Sequence, residues 1–476
     1  MMAPCSRFTQ TSFTLVVALF LSGCASVTPE QSMQAVNSSI RGFVGDSVSL
    51  RTTEPVRIEA QQQVRKILAS PLGPADAVRV MLFNSAAFQS LLARGIADTA
   101  SAAQVGRIQN PSFSIERITS ATDTELTRVL SFGLLDLLTL PQRKQIAEQA
   151  IDASQLQLAK AVVQSVAGVR RAWTEAVAAE AGYRYAAQVM RSANASAELA
   201  ARMQRAGNLT VLARSSQQMY AADAALNLAV AQHQQKKTRE ALIRLLGLRL
   251  AQQAQLTLPT RLPALPKLPR SVEEVNAQLA SARLDVRMSA HLLTLSAKAQ
   301  GLGNLTSFTD IEWGIRRVKS TDRTDRSGAT SSGNEVSIKL PLFDWGDLQR
   351  SRLAAQTLGA INAYEAAVLT ATSEVREAYS AYRTTLDIAR HYEREIIPLR
   401  QRMTEENQYR YNGMIIGTLE LLVDARMQVG VVQNALKATT QFWLADASLN
   451  ESLISSPSAG TALTSSATTV TSEGGH

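Results

Sequence analysis

Between residues 335 and 340, Val336, Ile338 and Leu340 alternate with Glu335, Ser337 and Lys339, the period-two pattern of a strand with one apolar face. From Trp345 to Tyr411 the apolar residues instead recur every three or four positions, the period of a helix. The same switch occurs earlier in the chain. Phe113 and Ile115 alternate with Ser112, Ser114 and Glu116, and a helical period follows from about residue 141. Ile311, Trp313 and Ile315 alternate with Asp310, Glu312 and Gly314. Inside the helical stretches, Val162, Val166, Val169, Trp173 and Val177 step by three or four, as do Tyr364, Val368, Ala371, Val375, Ala378 and Tyr382. Both series predict coiled-coil seams. A helix of about 65 residues is on the order of 95 Å long, more than an ordinary globular domain contains.

The pattern is repeated. Gln142-Arg143-Lys144-Gln145-Ile146-Ala147 matches Gln349-Arg350-Ser351-Arg352-Leu353-Ala354 at an offset of 207 residues, and both follow an alternating segment. Arg205-Ala206-Gly207 matches Tyr411-Asn412-Gly413 at an offset of 206. Asn110-Pro111-Ser112 and Asn304-Leu305-Thr306 are read as entries to the first strand of each half. Their offset of only 194 requires a longer loop in the second strand pair. Each repeat therefore reads helix, strand, loop, strand, long helix, tight turn, long helix. Helices are expected at 74–104, 141–205, 211–247, 271–300, 345–411 and 418–449, with strands at 111–118, 126–135, 305–318 and 334–342. Pro398 should kink or end its helix. Predicted domains are 74–258 and 271–455 for the two repeats, joined at 259–270 by a proline-spaced, extended connector. The Ser, Thr, Ala and Gly tail at 456–476 has little to bury and is expected to be disordered.

Composition favours helical seams over a compact enzyme core: aromatic residues are only 5% of the chain. The net charge of +9 is spread over helix faces and does not point to nucleic acid. Catalytic signatures are missing from the sequence, with no HExxH, GxSxG or phosphate-binding loop, so the chain is not expected to be an enzyme or to hold a cofactor. His233, His291 and His391 stand singly in helical stretches and read as surface or seam residues; the methionines are scattered, so no metal site is expected.

Arg7 precedes an apolar stretch from Phe13 to Leu21, too short to span a bilayer as a helix, and Leu21-Ser22-Gly23-Cys24 follows. Residues 1–23 thus read as a signal peptide whose end resembles the lipobox of bacterial lipoproteins. That resemblance implies acylation of Cys24, and Ala25 after it implies the outer membrane. Residues 24–73 would be a lipid-anchored segment. Loss of Cys5 with the signal leaves one cysteine and no internal disulfide. No other apolar run is long enough for a membrane helix, so a membrane crossing would need strands. Four strands cannot close a membrane barrel, and several chains would have to share one.

Three stretches together resemble the TolC-like outer-membrane efflux proteins: "LPLFDWGDLQRSRLAAQ" is similar to the family's strand-to-helix junction, "GRIQNPSFSI" to the entry of its first strand, and "YRYNGMIIGTLELLVDAR" to its helix-turn-helix tip. The resemblance covers nearly all of the mature chain. It implies a mostly α protein with a small β part, a two-repeat strand-to-long-helix protomer. As a homotrimer it would form a twelve-stranded outer-membrane β-barrel continuous with a periplasmic α-helical barrel. The implied function is the exit duct of a tripartite efflux system, carrying drugs, organic compounds or metal ions, with a periplasmic adaptor, an inner-membrane pump and outer-membrane lipid as partners. Alternatives are a lipid-anchored periplasmic coiled-coil scaffold and the exit duct of a type I protein secretion system; a general porin would have no use for helices this long.

By the same resemblance, Ala206, Gly207, Asn208, Leu209 and Thr210, with Gly413, Met414, Ile415, Ile416, Gly417 and Thr418, would be the tips that the adaptor grips. Gly207 and Gly413 are expected to supply the positive φ of each turn. Glu420 and Asp424, four residues apart, would share a helix face and ring the periplasmic aperture, with Arg202, Arg205 and Arg214 holding it shut. A solvated acidic pair is the alternative reading of those two carboxylates.

Overall fold

The computed structural model describes residues 28–275, 283–306, 310–323 and 327–457. Residues 1–27, which hold the expected signal peptide and Cys24, and the tail beyond 457 lie outside the described residues. Helix α1 (Pro29–Val44) and α2 (Glu54–Leu68) precede α3 (Pro74–Asn84) and α4 (Ala86–Gln104). Strands β1 (Ser112–Thr119) and β2 (Asp123–Gly133) lead through the short α5 (Leu134–Leu138) into α6 (Leu140–Arg205) and α7 (Val211–Leu246). After the one-turn α8 (Leu250–Gln253) come α9 (Leu284–Thr306), β3 (Ile311–Asp322), β4 (Gly328–Ile338) and α10 (Asp347–His391). A π-helical turn, Tyr392–Ile396, joins α10 to α11 (Ile397–Asn412), and α12 (Thr418–Ser452) closes the described chain. Among the described residues, no helix is long and apolar enough to cross a membrane.

The chain divides into two compact units. The first comprises residues up to Ser39, Ala93–Ala159 and Leu284–Leu369. Its centrepiece is an antiparallel sheet in the order β1-β2-β3-β4. Helices α4 and α6 close together at Gly95, where a Cβ would stand 2.6 Å from Leu158 Cδ1; a hydroxyl pair, Thr99 Oγ1 to Ser154 Oγ at 3.0 Å, lies one turn on. His291 meets Gln149 Oε1 at 3.0 Å at the seam between α9 and α6.

The second unit comprises Ile40–Leu92, Lys160–Arg283 and the chain from Thr370. All five positions of the first expected seam, Val162 to Val177, are buried here. Each such side chain removed from water stabilises by about 1.5–3 kcal/mol. Of the second seam, Ala371, Val375 and Tyr382 are buried, and Tyr382 packs on Phe442 with ring centroids 5.6 Å apart. Val368, in the first unit, is exposed. Trp173 donates its indole N–H to Leu72 O at 2.7 Å, tying the segment before α3 to α6. The buried Arg283 bonds Glu374 at 2.6 Å. The proline-spaced connector has no regular secondary structure, and its carbonyls accept side-chain bonds: Arg390 to Pro266 O at 2.7 Å, Trp443 to Pro263 O at 3.1 Å and Tyr379 to Arg270 O at 3.1 Å.

Several expected boundaries move. Asn304 is helical, within α9, so β3 begins at Ile311 rather than 305. Five residues separate β3 from β4 and three separate β1 from β2, a difference in the expected sense. Strand β4 stops at Ile338, before Leu340, because Pro341 has no N–H to give a ladder. It starts at Gly328, in a stretch without apolar alternation that pairing to β3 alone makes a strand. Helix α10 begins at Asp347, after an irregular segment rather than directly from the strand. The expected 345–411 helix is interrupted just before Pro398, as expected: α10 ends at His391, the π-helical turn follows, and Pro398 stands in the first turn of α11. Its missing N–H and ring bulk fall on the carbonyl of Arg394, four residues back, and the π-helical turn lies there.

Candidate functional site

The two faces of the sheet differ sharply. Residues opposite one another in the ladder share a face, so the register sorts every side chain. One face carries, from the helix-connected end outward, Ile311 and Ile338, then Phe132, Trp313 and Val336, then Phe113, Leu130 and Ile315. Phe132 and Trp313 stack with centroids 6.3 Å apart, and Phe113, Ile315, Val336 and Ile338 are exposed. The opposite face is mainly polar, with Ile118, Val129 and Val318 the larger aliphatic exceptions. It holds every carboxylate of the four strands, Glu116, Asp123, Glu125, Glu312, Asp322 and Glu335, and a single cation, Arg316, 3.9 Å from Glu335. After β4, Leu340, Leu342, Phe343, Trp345 and Leu348 are likewise exposed.

The two turns joining long helices share one backbone geometry. After α6, Gly207 N–H bonds Gln204 O at 3.0 Å and Asn208 N–H bonds Met203 O at 2.9 Å, the paired bonds of a Schellman end, with Gly207 at φ 78°. Thr210 caps α7, its hydroxyl accepting from Ala213 N–H at 3.2 Å. After α11, Met414 N–H bonds Tyr411 O at 2.9 Å and Ile415 N–H bonds Arg410 O at 2.8 Å. The left-handed residue is Met414, at φ 58°; Gly413 sits at φ −80°. The expectation for Gly413 is thus displaced by one residue. The equivalent of Gly207 is Met414, so the offset of 207 holds at the tip as it does at the junction. Gly417 occupies the cap position of Thr210 and offers no side-chain cap to α12. Val211, Leu212, Met414 and Ile415 are exposed, as are Ala206 and Asn208, whereas Ile416 is buried.

The proposed gate residues do not come together. Glu420 is exposed, but Asp424, one turn on, is 2% exposed. Its carboxylate accepts from Arg400 at 2.6 Å, Asn407 Nδ2 at 2.8 Å and Thr404 Oγ1 at 3.2 Å, all on α11, and Arg400 also donates to Asp424 O. Helical spacing alone put both carboxylates on one face; α11 covers one of them. Among the described residues, Arg202 pairs with Glu198 on its own helix and Arg214 donates to Gln204 Oε1 at 3.1 Å, while neither these nor Arg205 reaches Glu420 or Asp424.

Sequence reasoning missed the groups that join the helices near the tips. Arg426 donates to Gln217 Oε1 at 2.6 Å and lies 4.2 Å over the Tyr220 ring, linking α12 to α7. Gln217 and Asp424, both buried polar groups, are related by the same offset of 207. The offset relates the two positions but not their partners, which lie on other helices. Further from the first tip, Glu180 accepts from Gln235 at 2.7 Å and Arg184 at 2.9 Å. Burial pushes its carboxyl up, but these two hydrogen bonds, together with the charges of Arg184 and Arg239, hold it below its ordinary value.

No protein-family model matches the chain, and no curated protein sequence does. Solved structures match over most of it. The CmeC outer membrane channel of Campylobacter jejuni is 14% identical with a TM-score of 0.66, over 86% of this chain and 89% of that one. The MtrE outer membrane channel of Neisseria gonorrhoeae, in its open state, is 18% identical with a TM-score of 0.64, over 82% and 88%. The outer membrane protein VceC of Vibrio cholerae is 15% identical with a TM-score of 0.63, over 83% and 96%. Mostly helical, with one small sheet and two long-helix turns, the chain has the fold of outer-membrane channel proteins.

Proposed function

We propose that the chain is a TolC-like outer-membrane exit duct of a tripartite efflux system, conducting small solutes from periplasm to exterior. The observation that carries this reading is the two-faced sheet, apolar and aromatic on one side and carboxylate-bearing on the other, in a chain with the fold of outer-membrane channels. An apolar face against lipid and a polar face toward water is the division a membrane barrel needs. Strands β1 and β4 each have an unpaired edge, exposed at every residue. Three chains joined edge to edge remove all such edges and give a twelve-stranded barrel, with Cys24 as an acyl anchor beside it.

The tips would receive a periplasmic adaptor, itself coupled to an inner-membrane pump. Exposed Val211, Leu212, Met414 and Ile415 suit that contact. Glu420 would line the aperture, and Arg400–Asp424 and Arg426–Gln217 would be the internal clips that hold the tip helices. The two repeats, 74–258 and 271–455 with 259–270 between them, would be units of sequence, each contributing segments to both compact units.

Reconstitution of the purified chain in planar bilayers, with its mass measured in detergent, tests the reading. Trimeric, cation-preferring channels are expected, with Glu420→Gln weakening block by divalent cations and Asp424→Asn lacking that specific effect. A monomer without conductance would leave the helical scaffold as the better account.

A further inference from the structure

The apolar face of the sheet does not stay apolar along its length. Beyond Phe113, Leu130 and Ile315, the next ladder row holds Ile115, Arg128, Arg317 and Ser332, and the row after it holds Arg117, Leu126, Lys319 and Thr330. Four cations therefore crowd two adjacent rows of the face that bears the aromatic residues, while every strand carboxylate lies on the other face. Arg128 and Arg317 stand directly opposite in the ladder. Like charges so placed destabilise a sheet unless something neutralises them. All four side chains belong to exposed residues, and none has a carboxylate partner among the described residues. With strands about 4.8 Å apart and alternate residues about 6.6 Å apart, the four charges fit within roughly 10–15 Å.

Their height along the sheet identifies the occupant. The strands join the helices at the Ile311 and Ile338 end, so the basic rows are the first polar rows outward from the apolar band. If that band sits in hydrocarbon, the basic rows sit where lipid headgroups begin. We propose that Arg117, Arg128, Arg317 and Lys319 bind the phosphate groups of lipids in the outer leaflet, an inference that rests on the membrane-barrel reading above. Arginine pairs with phosphate oxygens through two parallel N–H bonds, and opposed arginines can share one phosphate. The lipid class expected is one bearing phosphate on a bulky headgroup at the membrane surface, such as a bis-phosphorylated glycolipid.

The test uses the full chain in phosphatidylcholine nanodiscs doped with a bis-phosphorylated glycolipid or with the same lipid after its phosphates are removed. Retained lipid is counted by native mass spectrometry, and conductance of the same preparations is recorded in planar bilayers. The wild-type chain should retain the phosphorylated lipid and lose the dephosphorylated one. Arg128→Gln with Arg317→Gln should lower retention by roughly an order of magnitude while channels still conduct. Arg128→Lys with Arg317→Lys should keep much of it, and Arg316→Gln, on the opposite face, should keep all. Equal retention of the two lipids by conducting wild-type channels would overturn the proposal, and needs no variant to fold. So would unchanged retention in the double glutamine variant, or binding of inorganic phosphate without lipid. A wild-type chain that does not conduct would remove the barrel reading itself, and this inference with it.

Discussion

The two tips have the same backbone and different side chains. At the first, Gly207 takes the left-handed position and Thr210 caps the next helix; at the second, Met414 takes that position and Gly417 leaves the helix uncapped. A non-glycine residue in the left-handed region costs about 1–2 kcal/mol, and a missing cap about 1 kcal/mol. The second tip is held about two turns further in. Asp424 takes three side-chain donors from α11, whereas its counterpart Gln217 takes one from Arg426. One turn is secured locally and the other by a buried ion pair.

That contrast breaks most visibly at the ion pair. Asp424→Ala leaves Arg400 buried without its charge partner, and local opening of the second tip should become easier by about 3–5 kcal/mol. Gln217→Ala, which removes a neutral acceptor, should cost the first tip about 1–3 kcal/mol. Amide hydrogen exchange across 418–424 and 211–217 measures both; equal effects would mean the tips are held alike.

The turn residues sharpen the comparison. Gly207→Ala should destabilise its tip by about 1–2 kcal/mol because of backbone strain, since open space surrounds the site. Gly413→Ala should be nearly neutral, its φ being ordinary, and Met414→Gly should stabilise by up to about 1 kcal/mol. If Gly413→Ala proves the costly change, the assigned register of the second turn is wrong. Next in size, Thr210→Ala should cost about 1 kcal/mol through its cap, while Gly417→Ser should gain a few tenths. Exchange at Val211–Arg214 and at residues 418–421 reports each.

The smallest expected effect concerns acid. Glu180 has a folded-state value below its unfolded one, so its contribution is present above the unfolded value of about 4.5 and is lost as pH falls through the folded one. Because the group is part-exposed, the contribution stays below about 1 kcal/mol. Glu180→Gln should flatten the decline of melting temperature between neutral pH and pH 4 in the first hairpin and leave the second unaffected. An unchanged decline would assign that acid sensitivity to other groups.

Legibility in the sequence followed the range of the interaction. The helical seam from Val162 to Val177 is written in its own spacing, and it is buried as that spacing requires. The strands of the first repeat and β3 announced themselves by alternation, but the first part of β4 did not, because Gly328–Asn334 carries no apolar period. Helix α1 went unread although Met33, Val36, Ile40 and Phe43 step by three and four and are buried; the Ser, Asn and Gln between them masked the period. Gly413 was a reasonable choice for the left-handed position, since propensity favours glycine there. The bonds from Tyr411 and Arg410 carbonyls fix the register one residue later, and they depend on where α11 ends.

What the sequence determined by itself was periodic and local: long helices, seams, the two-part repeat, the alternation of most strands and the positions of the turns. Tertiary structure decided which side chains meet. Arg400 and Asp424 are 24 residues apart and Arg426 and Gln217 are 209 apart, and no spacing rule brings either pair together. The sorting of charge between the sheet faces likewise needed the ladder register, because alternation within one strand does not say which face of its neighbour it joins. Short-range periods are dictated by backbone geometry residue by residue, whereas pairing across elements is fixed only when the chain closes on itself and buries one choice.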